Sequence, residues 1–397
     1  MAHQPAAGTR DRHPGEVETQ RQLCDQLAAL YRLWGYREVA PPGVERLDTL
    51  LAGGGVEDTE VVRLAQAVPL GLRPEFTASI ARAAGSRFAA RPRPLRLWAS
   101  GVTFRQQGGD GESGHGPRIQ EQMQSGVELL GERAASADCE LLHLLIAAAG
   151  RLGLRPEHRP QLLVGHHGLL AALLEPVPEP MRPQARRALT QLDPLSLAAL
   201  PLAAEVSEPL LALIRLRGTP DAVIAGMRGG LGAGPALEAL EALEAILQGV
   251  GGAAAEAGIR LQLDPTFQPH YSLYDGLVFQ LVCHGGDTPV VIASGGRYDG
   301  LVGRFCGPDT PPAGLGFAVA IEAISELLGG EPMGPVNGPW LVVPAVGVET
   351  GAALARMAQL HAGGEAAELG TTPCASAAEA DALAASRGCR GAIWIPA

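Results

Sequence analysis

The chain contains no lysine: all 31 of its basic residues are arginine. That excludes a lysine Schiff base, a P-loop lysine under nucleotide phosphates and a kinase-type lysine. GC-rich coding, which favours Arg, Ala, Gly and Pro, explains the bias, and the chemical exclusions hold whatever its origin. Asparagine is nearly absent too, with Asn337 the single instance, and aromatics make up only 4%. No segment has the roughly eighteen uninterrupted apolar residues of a membrane span. Residues 1–18 lack the apolar stretch of a signal peptide, so a cytoplasmic protein with no membrane partner is expected. The six cysteines (Cys24, Cys139, Cys283, Cys306, Cys374 and Cys389) form no CxxC pair. They read as separate reduced thiols, not as a disulfide frame or zinc site.

What is present bounds the rest. A 397-residue chain that is 46% hydrophobic can bury a core and divide into two or three domains. Its net charge of −11 argues against a general nucleic-acid binder, which shows a basic face. Glycine (52) and proline (32) together make about a fifth of the chain, above ordinary usage.

The periodicity predicts a loose tail over 1–18, then a helix from Thr19 with Leu23, Leu27, Leu30 and Trp34 on one face, stopped by Gly35. Short strands follow at 36–39, 72–77 and 95–104, with a helix at 77–88. Residues 106–117 are a Gly-rich polar loop. A strand at 124–130 and a helix at 134–152 come next. Residues 155–255, rich in Leu, Ala, Pro and Glu, read as a helical insertion whose last helix, 235–247, ends at Gly249. A strand at 259–263 and a hairpin of 273–282 with 289–294 follow, then a glycine-rich entry into a long helix at 314–328. After a Gly/Pro linker, 336–397 reads as a small α/β unit. It has strands at 340–343 and 392–395, and helices at 351–361 and 376–385. Ser376 and Glu379 stand at capping-box spacing.

Single residues here say little. Glu75 alone reads as a surface carboxylate, and Arg105 as half of a surface ion pair. His166-His167 lacks Cys or carboxylate partners at ligand spacing and reads as a solvated loop; His115 is no better placed, so no metal site is expected. No GxSxG elbow, P-loop, HExxH or dinucleotide fingerprint occurs.

An ordered series says more. Leu72-Arg73-Pro74-Glu75-Phe76-Thr77 precedes Phe104-Arg105 and Gln124-Ser125-Gly126-Val127-Glu128. Much later come Tyr274-Asp275-Gly276, Gly295-Gly296-Arg297-Tyr298-Asp299-Gly300-Leu301 and Gly316-Phe317-Ala318-Val319-Ala320-Ile321-Glu322. As chemistry, these residues suit a polar pocket. Glu75 and Glu128 can take cationic or N–H donors by charge-assisted hydrogen bonds; as the resemblance named next implies, these are the ammonium and imidazole N–H of an amino acid. Thr77 and Gln124 add neutral donors and acceptors, Arg105 can bind a carboxylate, Tyr274 gives an aromatic wall, and Gly295-Gly296 lets backbone approach a flat ring.

This series resembles the catalytic core of the histidyl-tRNA synthetases over residues 19 to about 328. The resemblance implies an α+β fold of class II aminoacyl-tRNA synthetase type: an antiparallel sheet flanked by helices, with the insertion at 155–255 and the C-terminal unit appended. It implies histidine as ligand, and self-association through the first class II motif, the helix, Gly35-Tyr36 and the strand to Pro41.

The departures matter as much. Where the family has RGLDYYTG, this chain has Pro269-His270-Tyr271-Ser272-Leu273-Tyr274-Asp275-Gly276, so the activating arginine is Pro269. The Arg-x-Glu that holds ATP reads Arg105-Gln106-Gln107, and the Glu-Arg closing the third motif reads Glu322-Ala323. Two cations and a carboxylate that serve adenylate formation are gone, and such groups supply much of the stabilisation in phosphate chemistry. With 31 arginines in the chain, composition does not account for their absence at 269 and 323. A retained pocket without ATP residues resembles the regulatory subunits of ATP phosphoribosyltransferase. That family is non-catalytic, needs no cofactor and no tRNA, and partners the short catalytic subunit in the first step of histidine biosynthesis under feedback by histidine. A divergent active histidyl-tRNA synthetase and a histidine sensor for another process are the alternatives.

Overall fold

A computed structural model describes residues 5–107, 118–269, 272–286, 288–307, 312–329 and 338–396. The chain divides into two compact units, Met1–Glu331 and Pro332–Ala397.

The larger unit is built on an eight-stranded mixed sheet. Its strands are β1 (Arg37–Glu38), β4 (Leu95–Gln107), β5 (Arg118–Leu130), β6 (Gln161–His166), β7 (Arg260–Leu263), β8 (Leu277–Gly285), β9 (Thr288–Arg297) and β10 (Gly314–Ala320). They lie in the order β1-β4-β5-β10-β9-β8-β6-β7. The six central strands are antiparallel, and parallel β1 and β7 close the edges. A separate ribbon pairs β2 (Val44–Arg46) with β3 (Leu70–Leu72). The two faces of the sheet carry different work. Alternation along β5 sends Val127 and Leu129 into the large core beneath the helices Pro14–Leu33 and Ala135–Arg151. Glu128 and Leu130 then face the opposite side, where Leu97, Ala99 and Leu130 pack with the helix Thr77–Gly85.

The first helix begins at Pro14, not Thr19, so residues 14–18 of the expected tail form its first turn. Pro14 suits the first helical position, where no N–H is needed, and Glu16 accepts the His13 N–H at 2.8 Å. Thr19 is inside and buried, its hydroxyl donating to the Gly15 carbonyl. The helix ends as expected at Gly35, whose φ is +80°.

Inside the expected insertion, β6 belongs to the main sheet, between β8 and β7, so the helical insertion runs from His167 to Glu256. Its last helix, Pro235–Glu256, passes through Gly249. A Cβ there would lie 3.1 Å from Cys139 Sγ, and the Gly249 carbonyl lies 3.1 Å from His143 Nε2. Gly249 thus permits close helix packing; it is not a stop. Residues 314–320 form β10 in place of a helix entry, with Leu315, Phe317 and Val319 alternately buried, and only Ile321–Leu327 is helical. Of 72–77, only Leu72 is strand, and 273–276 stand outside β8. Gln106 and Gln107 extend β4; the rest of the polar loop, with His115, and Asp287 of the hairpin turn lie outside the described residues.

The second unit is a three-stranded parallel sheet in the order β12-β11-β13: Ala367–Leu369, Trp340–Pro344 and Gly391–Ile395. Helices Thr350–Ala362 and Ala377–Ser386 form its crossovers. Ser376 caps the second helix by accepting the Glu379 N–H. No helix among the described residues is long and apolar enough to cross a membrane.

Candidate functional site

A cross-strand row forms the floor of the site. Register places Gly296 on β9, Gly316 on β10, Glu128 on β5 and Leu97 on β4 side by side on one face. Gln124 and Arg105 belong to the same face, four and eight pairs further along β5 and β4. A Cβ on Gly316 would collide with the Glu128 carboxyl, so glycine there is what lets that side chain lie down on the sheet.

Glu75 comes from the turn ahead of the Thr77–Gly85 helix. Its carboxylate accepts the backbone N–H groups of Thr77 and Ala78, an anion seated on a helix N-terminus. The same helix start places Thr77, whose hydroxyl meets Glu128. Glu128 is fully buried and accepts the Tyr298 hydroxyl. Burial pushes its carboxyl up to about 8; the Tyr298 and Thr77 hydrogen bonds oppose that, and the Glu75 charge adds to it. Two carboxyls are therefore held together, with no cation among the described residues acting on Glu128.

Above this floor is a cavity of about 230 Å³ lined by Glu75, Thr77, Arg105, Gln124 and Tyr274 among others. Among the described residues Arg105 is its only cationic lining residue; its guanidinium stands 3.4 Å from Glu60 and 3.5 Å from the Pro74 carbonyl. Among the described residues the side-chain oxygen of Gln124 is buried without a hydrogen-bond partner, a deficit that a bound donor would remove. Six of the eight expected pocket residues thus converge: five on the lining and Glu128 beneath them. The glycines act otherwise. A Cβ on Gly296 would meet the Tyr274 ring at 2.8 Å, so the flat ring it admits is the protein's own. Gly295 faces away, into the core between Phe279 and Phe317.

Sequence reasoning missed Tyr298, Gln122 and Glu60. Tyr298 stood within the GGRYDGL segment, which was the signal for it. Other residues of that segment hold the chain together. Arg297 is buried against Asp138 at 2.8 Å and Asp299 at 3.2 Å. Asp275 accepts the N–H groups of Asp299 and Gly300 at the start of the Asp299–Phe305 helix. His166 and His167 form no solvated loop. They sit at the β6–helix junction, where His166 Nδ1 accepts the Leu169 N–H at 3.1 Å, and burial lowers both imidazoles to about 4.

At 269 and 323 no cation stands, and at 107 no carboxylate. Gln107 donates to Gln120 at 2.8 Å at the end of β4. Pro269 lies half-buried between β7 and β8, and Ala323 packs against the apolar core.

The histidyl-tRNA synthetase family model matches residues 8–324. Full-length relatives from Synechococcus sp. strains RCC307 and CC9902, each 46% identical over all of both chains, are named ATP phosphoribosyltransferase regulatory subunit. The chain belongs to that family. Among solved structures, an ATP phosphoribosyltransferase regulatory subunit/histidyl-tRNA synthetase from Bacillus halodurans C superposes with TM-score 0.83 at 27% identity, covering 100% of this chain and 99% of that one. A histidyl-tRNA synthetase from Nostoc sp. PCC 7120, 18% identical with TM-score 0.79 over 100% and 92% of the chains, shares the fold. In this regulatory-subunit family member, the class II synthetase-like sheet carries a cavity of about 230 Å³ with a single cation among its described lining residues.

Proposed function

We propose that the chain is the non-catalytic regulatory subunit of ATP phosphoribosyltransferase, working in the cytoplasm. It binds the short catalytic subunit, is required for that subunit's activity in the first step of histidine biosynthesis, and conveys feedback by histidine. Histidine is read in the cavity. Glu75 receives the α-ammonium, Arg105 the α-carboxylate, and Glu128 with Gln124 the imidazole, against the Tyr274 wall. Self-association runs through the first class II motif, and neither tRNA, a cofactor nor a metal takes part.

The observation that carries this reading is a cavity that keeps amino-acid donors and acceptors yet has, among the described residues, only Arg105 as a cation. Adenylate formation needs further positive charge on the phosphates, and none stands at 269 or 323, while the carboxylate of the ATP-holding pair is absent at 107. Activity of the short catalytic subunit, measured with and without this chain and with histidine titrated in, tests the proposal. The expected result is activity that depends on the chain and falls with histidine. ATP–pyrophosphate exchange dependent on histidine would instead restore the synthetase reading.

A further inference from the structure

The cation on the cavity lining is already engaged. Arg105 reaches the cavity from the far end of β4. Its Nη1 donates to the Glu60 carboxylate at 3.4 Å and its Nε to the Pro74 carbonyl at 3.5 Å, while its Nη2 makes no hydrogen bond among the described residues. Glu60 is not on the described lining, so it holds one edge of the guanidinium from outside the cavity.

Glu60 is aimed by its own turn. It ends the short helical turn Asp58–Glu60, and its Oε2 accepts the Glu57 N–H at 2.8 Å. That bond leaves Oε1 towards Arg105. The neighbouring Asp58 is taken up by Arg63. The two carboxyls of the site itself do not share the guanidinium: Glu75 accepts the Thr77 and Ala78 N–H groups, and Glu128 accepts the Tyr298 hydroxyl. Of the three, only Glu60 opposes the charge of Arg105 at short range.

We infer that Glu60 is an affinity-setting residue: it competes with the ligand's α-carboxylate for Arg105, and so weakens the preference of the cavity for a ligand with a free carboxylate. The inference rests on the reading of histidine in this cavity, and it gives that site a built-in competitor. An orienting role would need firm contacts, and hydrogen bonds of 3.4 and 3.5 Å fix a guanidinium poorly. The pair is partly exposed, with 27% of the Arg105 side chain and 36% of the Glu60 side chain open to solvent. Its effect is therefore of the size of a surface ion pair, and salt reduces it.

The test compares the full chain with its Glu60→Gln variant, which keeps the shape and the acceptor oxygen but removes the charge. Arg105→Met and the double variant complete the cycle. Calorimetry reads the affinity of each chain for histidine and for histamine, the same molecule without its carboxylate, at two salt concentrations. The expected result is histidine binding about two- to fivefold tighter in E60Q than in wild type, a gain that narrows at the higher salt. Histamine should show no such gain, and E60Q should bring none in the Arg105→Met background. Histidine affinity in E60Q at or below the wild-type value would overturn the inference while leaving the reading of the cavity intact. An equal gain for histamine, or a gain that persists without Arg105, would also overturn it, since the carboxylate would then not be what Glu60 opposes. Histidine that fails to bind the wild-type chain would remove the reading of the cavity, and the inference with it.

Discussion

Glu128→Gln is the most revealing single change. Burial raises the Glu128 carboxyl from its usual 4.5 to about 8 in the folded chain. Folding therefore favours the protonated form, and stability drawn from this group is intact below 4.5 and lost as pH rises towards 8. A shift of that size corresponds to roughly 5 kcal/mol at full ionisation, an upper bound because the site can relax and admit water as it ionises. Glutamine keeps the shape, still accepts the Tyr298 hydroxyl and cannot ionise. Urea unfolding of ligand-free wild type and variant at intervals from pH 5 to pH 9 reads the difference directly; His166 and His167 titrate in both proteins and cancel. The variant should gain on the wild type steadily with pH, by several kcal/mol at pH 9. Calorimetry on the same pair should show histidine binding weakened at least tenfold, the loss of a charge-assisted bond. Stability curves that stay parallel across the range would refute the buried, cation-free carboxyl.

Other consequences are independent of that one. Tyr298→Phe removes the donor to Glu128, so it should cost about 1–3 kcal/mol and move the pH-dependent loss to higher pH, read in the same unfolding series. Gly249→Leu should destabilise by roughly 1–3 kcal/mol through overpacking against Cys139. Gly251→Ala in the same helix, with open space around it, should be neutral or stabilising by up to about 1 kcal/mol. Thermal melts of both glycine variants decide whether packing or helix propensity governs that segment. Ala323→Arg alone should leave histidine-dependent ATP–pyrophosphate exchange undetectable, since positions 107 and 269 remain without their groups; exchange in this variant would show that a single charge had been limiting.

The floor of the site was legible in sequence because its parts are short, ordered segments: LRPEFT brings Glu75 and Thr77, QSGVE brings Gln124 and Glu128, and YDG brings Tyr274. Which way each glycine points was not legible. That depends on cross-strand register, and a one-residue difference puts Gly295 in the core and Gly296 under Tyr274. Glycine also misled elsewhere: Gly249 looked like a helix stop because its partner, Cys139, lies 110 residues earlier. Strand β6 was hidden because Gln161–His166 is six residues set among helical runs, and its place in the sheet comes from pairing with β8 and β7, a tertiary fact. The N-terminal boundary moved because Pro14 supplied a better first turn than Thr19.

As proposed above, this chain governs another chain's chemistry and performs none of its own. The direct measurement is phosphoribosyl transfer to ATP by the short catalytic subunit, assayed alone, with this chain, and with this chain plus histidine. Activity that needs the chain and is suppressed by histidine, with suppression weakened by Glu128→Gln, is the expected result. Transfer at the same rate with and without the chain would contradict it.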